Sequence, residues 1–157
     1  MNFEDLLKQF TAAANSGSAE DFGACFTEDA VYHDYIYGPF HGRANIGKML
    51  AEVFHGDAED FQWEMVDPVC DGERGYAAYN FSFTSTIPAY KGKRVALQGM
   101  SQFTLRDGLI AEYHEAINGG IAMAQLGVPA DTMARVFRRN AEKEYAKPAL
   151  ASHKRPA

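Results

Sequence analysis

Two acidic side chains in this sequence stand where chemistry could use them. From Leu109 to Ile117 the odd positions are Leu109, Ala111, Tyr113, Glu115 and Ile117. Residues two apart on a strand share a face, so four apolar positions predict an inward face that also carries Glu115. An unpaired carboxylate inside a protein is costly to ionise. Such a group takes a raised pKa and a hydrogen-bond partner, the properties of a catalytic acid or base. A bulge that swings Glu115 outward, or an arginine partner, would leave it without that role. The second carboxylate is Asp34, within Tyr32-His33-Asp34-Tyr35. On a strand Tyr32 and Asp34 point together, setting a phenol donor beside a base, while His33 and Tyr35 point the other way. Val31, His33 and Tyr35 would also make an inner face, so both parities stay open. His33 therefore stands beside Asp34, Glu115 and Tyr32 as a candidate catalytic group.

Other reactive patterns are missing from the sequence. His33 and His41 are separated by a stretch containing Gly and Pro, and His114 falls on the even face of its strand. No HxxxH or HxH exists, and no spacing matches a zinc or iron pattern, so no metal site is expected. Gly-rich phosphate loops, a GxSxG elbow and a Ser/His/Asp order are also absent, and no cofactor is expected. Cys25 and Cys70 form no CxxC and are expected to be buried, reduced thiols.

The elements that must position the carboxylates are legible from periodicity. Phe3, Leu6, Leu7 and Phe10 form one helical stripe that Gly17 can close. Ser18, with Asp21 three residues on, resembles a capping box for a short second helix carrying Phe22, Cys25 and Phe26. Arg43 to Phe54 reads as a third helix with Ile46, Met49, Leu50 and Val53 inward, and Gly38 to Gly42 before it reads as loop. From Phe61 the period changes to two. Phe61 to Cys70 is a strand whose Pro68 predicts an edge position or a bulge. Asp71-Gly72 turns it into a strand with Ala77, Tyr79, Phe81 and Phe83 on one face. The next strand carries Val95, Leu97, Gly99, Ser101, Phe103 and Leu105, and Asp107-Gly108 leads into the last. Hairpin-linked strands with one apolar face predict a curved antiparallel meander. Two helices follow, Ile121 to Leu126 and Asp131 to about Tyr145, the latter with Met133, Val136 and Phe137 inward. The fold class expected is α+β, with the first helices covering one sheet face.

Composition sets the outer bounds. At 157 residues, 46% hydrophobic and 13% aromatic, the chain is expected to be one globular domain over residues 1–147 with a disordered tail at 148–157. No apolar run approaches a bilayer span, and the acidic, helix-like start does not read as a secretory signal, so no membrane association and a cytoplasmic location are expected. The net charge of −6 is uneven: residues 135–157 carry seven basic and two acidic side chains, and everything before them is strongly acidic. An acidic body repels a phosphate backbone, so no nucleic-acid partner is expected.

The order helix, short helix, Phe26-Thr27-Glu28-Asp29-Ala30-Val31-Tyr32-His33-Asp34, then Gly38-Pro39-Phe40-His41-Gly42-Arg43 opening a helix, resembles the SnoaL-like branch of the nuclear transport factor 2-like superfamily. Asp107 to Glu115 is similar to that family's last strand, and Asn118 to Gly127 to the helix after it. The resemblance spans about residues 3–127. It implies a cone-shaped curved sheet whose mouth takes a small apolar molecule, and a homodimer through the outer sheet face. Asp34 matches the proton-shuttling carboxylate of steroid isomerases with this fold. Their two oxyanion donors have no counterpart, since Phe10 and Ser101 occupy those positions. Glu115 matches the last-strand carboxylate of limonene-epoxide-hydrolase-like members, but Tyr79 and Phe81 stand where their Arg-Asp pair would be. The resemblance also favours Tyr32 and Asp34 as the inward parity.

Two functions follow. One is a cofactor-independent enzyme in which Asp34 or Glu115 takes a proton α to the carbonyl of a small, largely apolar substrate, with Tyr32 or Tyr79 donating to the enolate oxygen. Cyclisation, isomerisation and dehydration all fit. Tyr79, Phe81, Phe83, Ser101, Phe103, Tyr113, Phe10 and Met49 are the expected substrate-binding residues. The other is a non-catalytic module of the same fold that holds a small ligand or a partner, which would have little reason to bury Glu115.

Overall fold

The computed structural model describes residues 2–154. Contacts divide the chain into two compact units, Met1–Leu126 and Gly127–Ala157.

The first unit opens with α1 (Phe3–Ser16), where Asp5 N–H donates to the Asn2 side chain at 2.8 Å and Gly17 closes the helix at φ 76°. That left-handed conformation is one that glycine alone adopts freely. Leu6, Leu7, Phe10, Ala13 and Ala14 form its buried stripe. A second helix, α2 (Ala19–Ala24), begins at Ser18, which accepts from Asp21 N–H. The chain then enters β1 (Phe26–Asp34) and β2 (Gly38–His41). Gly38–His41 was expected as loop, but it pairs antiparallel with β1, setting Tyr32 opposite Phe40. Four residues at a sheet edge tolerate a proline, because the missing N–H can face outward. Next come α3 (Arg43–Lys48), a π-helical stretch Met49–Phe54, and one turn, α4 (His55–Asp57).

The meander is β3 (Ala58–Cys70), β4 (Arg74–Ser85), β5 (Arg94–Arg106) and β6 (Leu109–Ile117). All six strands form one sheet in the order β2-β1-β6-β5-β4-β3. The sheet is mixed rather than wholly antiparallel, because β1 lies parallel to β6. No hairpin joins those two strands, so turn geometry does not dictate their relative direction. Pro68 sits on an edge strand and beside a bulge, where the β3–β4 register shifts between Val66 and Val69. Asp60 and Asp67 take positive φ at the two irregularities of β3. Bulges bend a strand and raise its twist, and the sheet curls around α1. Its core is aromatic: Phe10 lies 4.8 Å from Phe22, 5.1 Å from Trp63 and 5.7 Å from Tyr113, ring centre to ring centre. Asn15 of α1 clamps the edge, accepting from Trp63 N–H at 2.7 Å and donating to Trp63 C=O at 3.2 Å. After β6, α5 (Gly119–Leu126) is held by Gln125, whose amide both accepts from Ala96 N–H and donates to Ala96 C=O.

In the second unit, α6 (Ala130–Ala146) has no buried residue. Pro148–His153, expected to be disordered, forms a 3-10 turn, and the rest of that tail from 155 on lies outside the described residues. Cys25 is buried, but Cys70 is exposed, at the end of the edge strand. No helix among the described residues is long and apolar enough to cross a membrane.

Candidate active site

Parallel pairing of β1 with β6 sets Tyr32 beside Tyr113 and His33 beside His114. One residue further along each strand stand Asp34 and Glu115, and both border a single cavity of about 230 Å³. The parity read for β6 holds only in its second half. Ile110 is buried in place of Leu109 and Ala111, because the β5–β6 register shifts next to Leu105. Beyond that shift Tyr113, Glu115 and Ile117 face in, as expected.

The cavity is lined almost entirely by carbon. Tyr79, Phe81 and Phe83 line it as expected, along with Tyr32. Trp63, Phe54, Leu97 and Met123 line it too and were not anticipated. Trp63 shares the strand parity of Phe61, which was the available signal. Phe54 is turned to the cavity by the π-helical stretch, which no sequence period announces. Of the other expected contacts, Phe10, Ser101, Phe103 and Tyr113 are fully buried in the core behind the wall, not on it. Met49 is also buried and borders a separate groove beside Phe40.

The two carboxyl groups differ in their partners. Tyr79 Oη donates to Glu115 Oε2 at 3.3 Å. That phenol lies where a side chain on Gly99 would be, so a Cβ at Gly99 would strike the ring. Burial, reinforced by the nearby charge of Asp34, pushes the Glu115 carboxyl up to about 7. Burial raises Asp34 as well, opposed by two backbone donors: Ile36 N–H at 2.8 Å and Tyr37 N–H at 2.7 Å, both to Oδ1. Burial holds the Tyr32, Tyr79 and Tyr113 phenols well above their usual range, so all three remain donors. Tyr32 stacks on Tyr113 at 4.4 Å, and Tyr113 Oη shares a 2.9 Å hydrogen bond with Ser101 Oγ. Among the described residues, the buried Tyr32 Oη and Trp63 Nε1 have no hydrogen-bond partner.

His33 does not reach the cavity. It projects from the opposite face of β1, where its ring stacks on His114 with centres 4.0 Å apart. Both imidazoles address one carboxylate oxygen, His33 Nε2 at 2.9 Å and His114 Nε2 at 3.0 Å from Glu112 Oε1. These three residues are the grouping among the described residues whose donor atoms lie close enough to share an ion. No such grouping was visible as a spacing, because it is assembled across two strands far apart in sequence.

Residues 7–113 match the profile of the SnoaL-like domain. No curated protein matches the sequence. Among solved structures, the chain is similar to TsrD from Streptomyces laurentii, at 22% identity and a TM-score of 0.70, covering 80% of this chain and 95% of that one. It is similar also to a hypothetical protein with a ketosteroid isomerase-like fold from Catenulispora acidiphila, at 18% identity and a TM-score of 0.73, covering 83% and 98%. A third is a proposed polyketide cyclase from Xanthomonas campestris, at 23% identity and a TM-score of 0.66, covering 78% and 95%.

Proposed function

Because this chain belongs to the SnoaL-like domain family, we propose that it is a cofactor-independent acid–base enzyme that moves a proton on a small, largely apolar carbonyl compound. The observation that carries this reading is the meeting of Asp34 and Glu115 in one apolar cavity. Two carboxylates so placed cannot both ionise cheaply, which separates an acid from a base. Asp34, its charge supported by two backbone N–H groups, takes the proton α to the carbonyl. The C–H electron pair moves into the enolate, and the phenol of Tyr79 or Tyr32 donates to the oxygen that gains charge. Protonated Glu115 then delivers a proton to another carbon in isomerisation, or to a departing hydroxyl in dehydration. In cyclisation the enolate carbon attacks a second carbonyl and Glu115 protonates the new alkoxide. A cavity of about 230 Å³ falls below the roughly 300–1,000 Å³ usual for drug-sized ligands, which favours a substrate of one or two rings.

The test uses bicyclic ketones such as 2-tetralone, with deuterium uptake at the α-carbon in D2O read by mass spectrometry. The expected result is uptake above the buffer rate in the wild type, and a loss of about 10²-fold or more in Asp34→Asn and in Glu115→Gln. The thermal midpoint of Glu115→Gln should hold or rise, because a buried carboxyl is replaced by a neutral group of the same shape. Exchange in both variants at the wild-type rate would overturn the reading.

A further inference from the structure

The outer face of the sheet carries a second constellation that the cavity does not use. His33 on β1 and Glu112 and His114 on β6 bring two imidazole nitrogens and one carboxylate oxygen within 4.8 Å of one another. We propose that these three side chains form a binding site for a divalent transition ion of the zinc class, on the face of the sheet opposite the carboxylate cavity.

The geometry is close to what such an ion needs. Bonds of about 2.0–2.1 Å in tetrahedral arrangement place ligand atoms about 3.3 Å apart. Two of the three separations here are 2.9 and 3.0 Å, both to Glu112 Oε1. The rings are nearly parallel, at 8°, so an ion entering between them requires each to tilt until its lone pair converges. The side chains are 36–43% exposed, which gives them room to turn and leaves a further coordination position open to solvent. Two nitrogens and one oxygen suit zinc, copper or nickel better than magnesium or calcium, which prefer all-oxygen shells. The donors lie in two adjacent rows of the sheet, since Glu112 pairs with Val31 and His114 with His33. An ion held there would join β1 to β6, the junction whose register shifts between Phe26 and Val31 and which no hairpin closes.

Zinc titration of the full, chelator-treated chain, read by calorimetry, tests this without any assay of turnover. The expected result is one ion per chain in the wild type, weakened about 10²-fold or more in His33→Gln, Glu112→Gln and His114→Gln, since loss of even an outer-sphere partner costs about 10–100-fold. Cobalt should give the intense visible bands of a low-symmetry site in the wild type and lose them in each variant. The ion should raise the Tm of the wild type and leave that of the variants unmoved. Absence of stoichiometric binding, or binding that the three substitutions do not weaken, overturns the proposal. Because the substituted side chains are partly exposed, the variants' own Tm without metal serves as the check that they fold.

Discussion

Glu115 and Tyr79 meet because Gly99 leaves the space that the Tyr79 ring fills. Replacing Tyr79 by Phe removes one oriented donor, and turnover on the ketone probe should fall by about 10²-fold. Gly99→Ala keeps the hydroxyl but displaces it together with the ring, so it should lower turnover in the same direction. The double variant should then be no worse than Tyr79→Phe alone. Full additivity in that cycle would show that the glycine acts elsewhere. At this scale Glu115 was legible, because alternation places it on an inner face without knowledge of the partner strands, whereas alternation alone left the direction of Asp34 open. His33 was misassigned for a simple reason: both parities of β1 are rich in aromatic and polar groups. Only pairing with β6 decided which one turned inward. The near approach of His33, Glu112 and His114 was invisible for the same reason.

Among the elements, the edge strand β3 depends on α1. Asn15 supplies one donor and one acceptor to the Trp63 backbone, the pattern of a neighbouring strand. Asn15→Ala leaves both Trp63 groups unpaired and should cost about 1–3 kcal/mol. Urea unfolding should show a lower midpoint with an unchanged slope. Helix periods, caps and hairpin turns are local signals, and the helices and the meander strands were readable from them. Two features were not. Gly38–His41 became a strand because β1 offered it a free edge, and Arg43 to Phe54 changed from α to π partway along. Each depends on what the segment packs against rather than on its own residues.

For the molecule as a whole, α1 and the curled sheet share one aromatic core centred on Phe10. Truncating Phe10 to alanine should cost about 3–5 kcal/mol, a large share of the roughly 5–15 kcal/mol by which domains are stable. The expected outcome is a single cooperative transition shifted far down in temperature, followed by circular dichroism. A Tm within a few degrees of wild type would mean that the core is not organised around that ring. By itself the sequence determined the α+β class, the covering helices, the meander and the two carboxylates, because hydrophobic period and turn chemistry act over a few residues. The tertiary structure decided that β1 lies parallel to β6, that the carboxyl groups share one cavity while the histidines share the opposite face, and that Trp63 and Phe54 close the wall. Those outcomes depend on contacts between residues dozens of positions apart, which no local pattern encodes.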